Sequence, residues 1–461
     1  MSLRFGTDGV RGVANSELTP ELALALGRAA SRVLGVGASH ARVVVGRDTR
    51  QSGAMLLGAL SAGITSEGLD VVDLGIVPTP AVALASQRDH VVGAMISASH
   101  NPFADNGIKF FAAGGMKLPD AVEAAIEREL DVLLSGMSPV PAGLGEGPPR
   151  GPKVGSDVGR VSADESFVAT YVAHLVGSLE QRTLSGLRVV LDVANGAAVH
   201  AAPAAFRALG ASVTVLHDLP DGANINDACG STHPESLQAA VVEHGADVGF
   251  AFDGDADRML AVASDGSLID GDQILAMLAV DRRDRGRLPH DTVVVTVMTN
   301  LGFRLAMADR GVNVIDTAVG DRHVLEAMLA GGFTLGGEQS GHVINTDVAT
   351  TGDGTLSAVL VADLLVRSQR SLAEHGRIME RLPQVLRNVK GVDRSRLEGA
   401  TELWADVRRV EEELAGRGRV LLRPSGTEAL VRVMVEAPTH LAASTAAEQL
   451  CATVQRVLGT P

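Results

Sequence analysis

Short β-branched runs, each ending abruptly in polar or small residues, recur along this chain: Val43-Val44-Val45 before Gly46-Arg47-Asp48, Val189-Val190-Leu191 before Asp192, and residues 293–297 before Thr299-Asn300. Unbroken apolar runs of this length suit strands buried on both faces. Ala/Leu-rich stretches of helical periodicity accompany them at 21–34, 201–209 and 322–330. The alternation predicts repeated βα units, hence three similar α/β domains with mixed or parallel sheets. Residues 139–155 hold five prolines and read as a linker, which puts the first boundary near 155. Beyond about residue 370 the pattern predicts a smaller C-terminal α+β domain: a strand over 383–389, a charged amphipathic helix over 403–415, two strands about a turn over 419–436 and a closing helix over 441–458. The domains so read are 1–155, 156–257, 258–370 and 371–461.

Composition narrows the function classes. Apolar residues make up 46% and charged residues 21%, so the chain can bury several cores and is neither disordered nor collagen-like. Its formal net charge of −15 excludes a broad electrostatic footprint for nucleic acid or an anionic membrane surface. An anionic ligand therefore needs a local basic pocket. Cys229 and Cys451, the only cysteines, are too few for a disulfide framework or a zinc knuckle and fit a reducing cytoplasm. No run of 18 apolar residues occurs, and the expectation is a soluble cytoplasmic protein.

Three short motifs carry chemistry. Asp253-Gly254-Asp255-Ala256-Asp257-Arg258 follows the apolar 248–252. If the chain stays extended, residues i, i+2 and i+4 face one way and three carboxylates converge, an arrangement that needs a cation; oxygen donors alone favour a hard ion such as Mg²⁺. Ile96-Ser97-Ala98-Ser99-His100-Asn101-Pro102 displays Ser99 on a tight loop, where its hydroxyl can act as nucleophile or phosphoryl carrier, with Lys109 ten residues on. In a chain that uses Arg almost throughout, that lysine stands out, because an ammonium can lose its proton when desolvated. Arg423-Pro424-Ser425-Gly426-Thr427-Glu428 falls between two expected strands and forms an anion cradle. No G-x-S-x-G, P-loop or dinucleotide fingerprint is present. Two further loops stand out: 336–342, whose Glu338, Gln339, Ser340 and His342 suit sugar hydroxyls, and the turn-rich 6–12, which places Arg11 in the chain's first loop.

In this order and one per domain, Ser99-His100-Asn101-Pro102, the Asp253/Asp255/Asp257 run with Arg258, Gly337-Glu338-Gln339-Ser340-Gly341-His342 and Arg423-Pro424-Ser425-Gly426-Thr427 resemble the α-D-phosphohexomutase superfamily over nearly the whole chain. Within it, Gly6 to Gly12 as GTDGVRG, residues 96–111, Cys229-Gly230-Ser231-Thr232-His233 and the Glu338-Gln339-Ser340 loop look like the bacterial phosphoglucosamine mutase branch; His323 departs from the pattern, which has Tyr there. The resemblance implies four domains around a central cleft and an isomerase that interconverts glucosamine 6-phosphate and glucosamine 1-phosphate through phosphoserine 99 and a 1,6-bisphosphate, feeding UDP-N-acetylglucosamine and cell-wall precursor synthesis. A phosphoglucomutase/phosphomannomutase is the alternative. By the same resemblance Ser99, Asp253, Asp255 and Asp257 hold one Mg²⁺; Lys109, Arg11 and His342 are the acid/base candidates, Lys109 foremost; Glu338 and Ser340 bind the sugar, Arg258 lines the substrate site, and Arg423, Ser425, Gly426 and Thr427 bind the phosphate that is not reacting. Glucosamine or glucose 1,6-bisphosphate is the implied activator, a hexosamine phosphate the implied partner, and a homodimer is compatible with the pattern. Arg47, Arg50 and Arg322, in or beside the motif loops, join Arg11, Lys109, Arg258 and Arg423 as expected counter-charges to the bisphosphate, and closure of the fourth domain is expected to bring Arg423 to the substrate.

Overall fold

The computed structural model describes residues 6, 9–35, 42–135, 153–425 and 430–459. Most of the proline-rich 139–155 segment therefore lies outside the described residues. The first domain contains β1 (Val10–Val13), α1 (Pro20–Leu34), β2 (Arg42–Arg47), α2 (Ser52–Ser66), β3 (Asp70–Ile76), α3 (Thr79–Asp89), β4 (Val92–Ile96), β5 (Asp105–Phe111), α4 (Asp120–Leu134) and β6 (Val161–Ala163). The second has α5 (Phe167–Gly177), β7 (Arg188–Asp192), α6 (Ala198–Ala208), β8 (Ser212–Leu216), α7 (Glu235–Glu243), β9 (Val248–Phe252), β10 (Met259–Ala263) and β11 (Leu268–Ile269). There follow α8 (Gly271–Asp284), β12 (Thr292–Thr296), α9 (Leu301–Asp309), β13 (Asn313–Thr317), α10 (Asp321–Gly331), β14 (Leu335–Gly337), β15 (Val343–Asn345), α11 (Gly354–Ser368) and α12 (Leu372–Gly376). The chain ends with β16 (Gln384–Lys390), α13 (Thr401–Glu413), β17 (Arg419–Pro424), β18 (Leu430–Glu436) and α14 (His440–Leu458).

The Val-rich runs form β2, β7 and β12, the inner parallel strands of three mixed sheets, as their burial demands. The sheets are ordered β1-β5-β4-β2-β3-β6, β11-β10-β9-β7-β8 and β13-β12-β14-β15. Each has a parallel core, and in each the last strand of that core turns back into an antiparallel neighbour: β4 into β5, β9 into β10, β14 into β15. Helix starts follow local chemistry. Thr19 caps α1 ahead of Pro20, and Asp270 forms a capping box with Gln273 at α8. The fourth sheet, β16-β18-β17, is antiparallel and packs with α13 and α14 around Leu403, Val433, Leu450 and Val454.

Three boundaries differ from the sequence reading. β6 extends the first sheet past 155 by pairing with β3, and β10 and β11 pair back onto β9, so a break at 257/258 would cut the second sheet. The chain divides into two compact units, Met1–Met298 with Val312–Arg377, and Thr299–Gly311 with Ile378–Pro461. α12, assigned to the C-terminal domain from the sequence, belongs to the first: Leu372 is buried and Gln273 Nε2 donates to Gly376 O at 3.2 Å. Residues 299–311 belong to the second, because the Asn300 side chain exchanges two 3.0 Å hydrogen bonds with the Leu382 backbone and Leu301 N–H donates to Glu436 at 2.9 Å. Among the described residues, no helix is long and apolar enough to cross a membrane.

Candidate active site

In the first unit, the three reversals from parallel to antiparallel pairing carry the three motifs. Ser99 lies between β4 and β5, Asp253 to Asp257 between β9 and β10, and Glu338 to His342 about the turn between β14 and β15. Loops at the carboxyl ends of parallel strands are where α/β folds build sites.

Ser99 is buried and sits at φ 53°, a region non-glycine residues enter at a cost and that is held by its surroundings. Its N–H donates to Ser97 Oγ at 2.9 Å, and Ser97 Oγ donates to Asp48 Oδ2 at 2.6 Å. Arg50, whose side chain is fully buried, pairs with Asp48 at 2.9 Å and donates to the carbonyls of Ser99 (2.9 Å), Asn101 (2.8 Å) and Pro102. Asn226 Nδ2, from the second domain, donates to the Ser99 and Asn101 carbonyls at 2.9 and 3.1 Å. The guanidinium fork and the amide thus fix the loop backbone, and the Ser99 hydroxyl is left to donate to Asp253 Oδ2 at 2.5 Å. His100 Nδ1 lies 3.4 Å from Ser99 Oγ and 3.2 Å from Arg258 Nη1; burial, then the Arg258 and Arg11 charges, lower its pKa and favour neutral imidazole.

The three aspartates converge, though not by strand alternation. Residues 253–258 form the turn of the β9–β10 hairpin, Ala256 has φ 57°, and Arg258 N–H donates to Asp253 Oδ1 at 3.1 Å. The wrapped turn, with Gly254 against the Ser99 carbonyl, aims the carboxylates inward; a Cβ on Gly254 would stand 2.5 Å from Ser99 O. One oxygen from each aspartate lies within 4.8 Å of the others, and all three residues are buried. Thr79 Oγ1 donates to Asp255 Oδ2 at 2.6 Å, and Lys109 Nζ, carried on β5, is 2.7 Å from Asp255 and 3.6 Å from Asp257. Asp255 Oδ1 and Asp257 Oδ1 are buried without a hydrogen-bond partner among the described residues. Burial and then the Asp257 and Asp255 charges push Asp253 well above the usual carboxylate range. For Asp257 burial acts in the same upward sense, but Lys109, His342 and Arg258 outweigh it and hold the carboxyl well below that range. A buried all-oxygen set with two acceptors that no hydrogen bond uses fits a hard divalent cation.

His342 joins the cluster to the third domain, its Nδ1 3.6 Å from Asp257 and its Nε2 3.2 Å from Asp321, which Lys117 pairs at 2.5 Å. Burial alone would lower His342; the two aspartates overcome it and push the imidazolium pKa to about 10. Glu338 Oε1 accepts from Gly320 N–H at 3.1 Å and Ser340 Oγ is 3.4 Å from Oε2, while Met259 N–H donates to Gly341 O at 3.1 Å, so this loop docks on the strand that leaves the aspartate turn. Arg11 Nη1 donates to Ala98 O at 3.2 Å beside Ser99. Within the second unit, Arg423 and Arg432 stand directly opposite on β17 and β18, and burial, then the Arg432 charge, lower the Arg423 pKa. Like charges across a strand pair are unfavourable unless an anion joins them. Ser425 is buried beside Arg394, which donates to its carbonyl; Gly426 and Thr427 lie outside the described residues.

Two expected counter-charges are committed elsewhere. Arg50 serves the Ser99 loop, and Arg322 pairs with Asp120 and, at 2.7 Å, Glu123. No sequence motif marks Asp48, Ser97, Thr79 or Asn226 for the site, and Arg50 supports the Ser99 loop where its position by the motif suggests a counter-charge to the bisphosphate. The one local signal for Asp48 and Arg50 was a charged pair at the carboxyl end of an otherwise apolar strand; Thr79 and Asn226 reach the site only through tertiary contact.

Comparisons with known proteins place the whole chain in one family. Four domain families match in order: phosphoglucomutase/phosphomannomutase alpha/beta/alpha domain I over residues 2–134, domain II over 169–266, domain III over 270–382 and the C-terminal domain over 383–453. The phosphoglucosamine mutase of Thermobifida fusca is 52% identical over 459 residues, spanning 99% of this chain and 98% of the relative, and that of Streptomyces coelicolor is 53% identical over 464 residues, spanning 100% of both. A phosphoglucomutase/phosphomannomutase family protein from Burkholderia thailandensis superposes with a TM-score of 0.78 at 25% identity, covering 98% of this chain and 97% of its own. An Aspergillus fumigatus N-acetylphosphoglucosamine mutase, solved with GlcNAc-6P and magnesium, shares the fold at a TM-score of 0.69 and 18% identity, covering 100% of this chain and 96% of its own. By identity over its full length, the chain belongs to the phosphoglucosamine mutase family of the α-D-phosphohexomutases.

Proposed function

We propose that this chain interconverts glucosamine 6-phosphate and glucosamine 1-phosphate in the cytoplasm, through phosphoserine 99 and a retained glucosamine 1,6-bisphosphate. The observation that carries the reading is the Ser99 hydroxyl bonded at 2.5 Å to Asp253 within a buried carboxylate trio, two of whose oxygens accept no hydrogen bond among the described residues. O1 of the sugar attacks the phosphorus on Ser99 Oγ, the P–Oγ bond breaks, and the bisphosphate forms. After it turns over, Ser99 Oγ attacks the phosphorus on O6 and takes that phosphoryl back, leaving the 1-phosphate. Lys109 exchanges the proton that the attacking hydroxyl loses and the leaving oxygen gains, with Arg11 and His342 as the alternative acid/base groups. Glu338 and Ser340 hold the sugar hydroxyls, Arg258 lines the substrate site, and Arg423, Ser425, Gly426 and Thr427 grip the phosphate that is not reacting.

Asp253, Asp255 and Asp257, with an oxygen of the phosphoryl on Ser99, would hold one Mg²⁺, which supplies charge neutralisation to the transferring group; the magnesium in the fungal relative supports that choice of ion. Uncatalysed phosphate-monoester cleavage is slow enough that accelerations near 10²¹, roughly 28 kcal/mol, can be needed. One aimed donor supplies about 3–4 kcal/mol and positioning about 7–11, so clamp, cation and acid/base group must act together.

The test is an assay with glucosamine 6-phosphate and Mg²⁺, with and without glucose 1,6-bisphosphate as activator. The native protein should form glucosamine 1-phosphate, and faster with the activator, while Ser99→Ala should lose at least about 10³-fold in kcat. A Ser99→Ala rate near native would overturn the reading. A kcat/KM for glucose 6-phosphate equal to or above that for the amino sugar would overturn the substrate assignment.

A further inference from the structure

Behind Asn226, on the loops that support the Ser99 turn, three side chains of different chemistry meet. Asp192 ends β7, His217 follows β8, and Cys229 precedes a short turn at Gly230–Thr232; one ligand atom from each lies within 4.8 Å of the others. Asp192 and Cys229 are buried, whereas the His217 side chain keeps 30% exposure and opens the cluster to solvent. The Cys229-Gly230-Ser231 segment stood out in the sequence and the phosphoryl transfer makes no use of it.

His217 and Asp192 are in direct contact. Nδ1 lies 2.9 Å from Asp192 Oδ1, and that carboxylate, against the effect of burial, raises the His217 pKa. Asp192 Oδ1 accepts from Ala194 N–H at 3.0 Å and Oδ2 from Gly230 N–H at 2.9 Å, which fixes the carboxylate and leaves each oxygen a second lone pair. Gly230, at φ 71° and with its Cβ position 2.5 Å from Phe252 O, pins the backbone that presents Cys229. Burial, then the Asp192 and Asp227 charges, push the thiol up to about 12; those negative charges are also a field that draws in a cation.

We propose that Asp192, His217 and Cys229 form a second metal site, selective for a borderline-soft divalent cation such as Zn²⁺ over Mg²⁺. A carboxylate oxygen, an imidazole nitrogen and a thiolate suit such an ion, and three protein ligands leave a fourth position for water. Binding forms metal–sulfur, metal–nitrogen and metal–oxygen bonds, and the thiol proton, with any proton on Nδ1, passes to solvent; no electrons change hands. The occupied site ties Asp192 and Cys229 together behind Asn226, whose N–H donates to Ala194 O at 3.0 Å and whose amide holds the Ser99 and Asn101 carbonyls.

Co²⁺ titrated into the full-length protein at saturating Mg²⁺ tests this independently of mutase activity. A thiolate-to-cobalt charge-transfer band should saturate at one Co²⁺ per chain and be displaced by stoichiometric Zn²⁺. Cys229→Ser should abolish the band, His217→Ala should weaken Co²⁺ binding at least about tenfold, and Cys451→Ser and Asp253→Asn should each keep the band. No band in the native protein, a band that survives Cys229→Ser or disappears in Cys451→Ser, or its loss in Asp253→Asn would overturn the proposal. If circular dichroism shows Cys229→Ser unfolded, the His217→Ala and Cys451→Ser titrations decide, and unchanged Co²⁺ affinity in His217→Ala refutes the site.

Discussion

Arg50 is the side chain whose replacement should travel furthest, because one guanidinium serves a buried carboxylate and three backbone carbonyls of the nucleophile loop. An ammonium cannot span that fork. Arg50→Lys should lower kcat by about 10²-fold with KM within about twofold; an equal rise in KM would show that Arg50 binds substrate instead. Arg50→Met strands Asp48 in a buried site and should cost about 3–5 kcal/mol in urea unfolding at pH 7. Burial already raises the Asp48 pKa above its unfolded value, so the folded chain binds the proton more readily, and stability falls as pH rises through the window above about 4. The deficit should therefore shrink from pH 7 to pH 5, and a pH-independent deficit would contradict this. His342 has the opposite character. With its pKa pushed to about 10 by Asp257 and Asp321 against burial, its stabilisation is complete below about 6.5 and is lost as pH rises through about 10. In metal-free protein its ring resonances should report imidazolium from pH 6 to 9; a midpoint near 6.5 would refute the ion-pair account.

At the scale of elements, the site is three hairpin reversals pressed together, and glycine sets how close they come. Gly254→Ala would drive a methyl to within 2.5 Å of Ser99 O and 2.9 Å of Asn226 Nδ2. It should cost at least about 10²-fold in kcat with circular dichroism unchanged, and a rate within twofold of native would show that the loops have room to part. These reversals also explain what the sequence made legible. The Val runs announced the inner strands, and the Ser99, aspartate and Glu338 motifs announced themselves by residue type. The turn that aims the aspartates looked like a strand, because alternation in Asp253, Asp255 and Asp257 is a one-dimensional pattern and the positive φ at Ala256 leaves no mark in composition. Arg50 and Asn226 act across sequence separations of 51 and 125 residues on the Asn101 carbonyl, beyond any local pattern.

Across the whole molecule, the number and kinds of domain are legible in the sequence, but the expectation that each is one continuous stretch does not hold. The C-terminal unit instead includes residues 299–311, held through the buried Asn300. Asn300→Ala leaves Leu382 N–H and O without their side-chain partner and should cost about 2 kcal/mol, so amide exchange in β16 and β18 should quicken by about 30-fold; unchanged exchange would remove α9 from that unit. The net charge of −15 makes the local cationic pairs decisive, and Arg423→Ala should raise KM for glucosamine 6-phosphate and release free bisphosphate; an unchanged KM without release would contradict the clamp.

The most direct measurement follows the phosphoryl group itself. Protein labelled with ³²P at Ser99 and mixed with glucosamine 6-phosphate and Mg²⁺ in a single turnover should pass its label to the bisphosphate and the sugar monophosphate pool, and should retain it when Mg²⁺ is chelated. Label that stays on the protein with Mg²⁺ present, or leaves only as inorganic phosphate, would contradict a phosphoryl carrier at Ser99 served by the Asp253, Asp255 and Asp257 cation site.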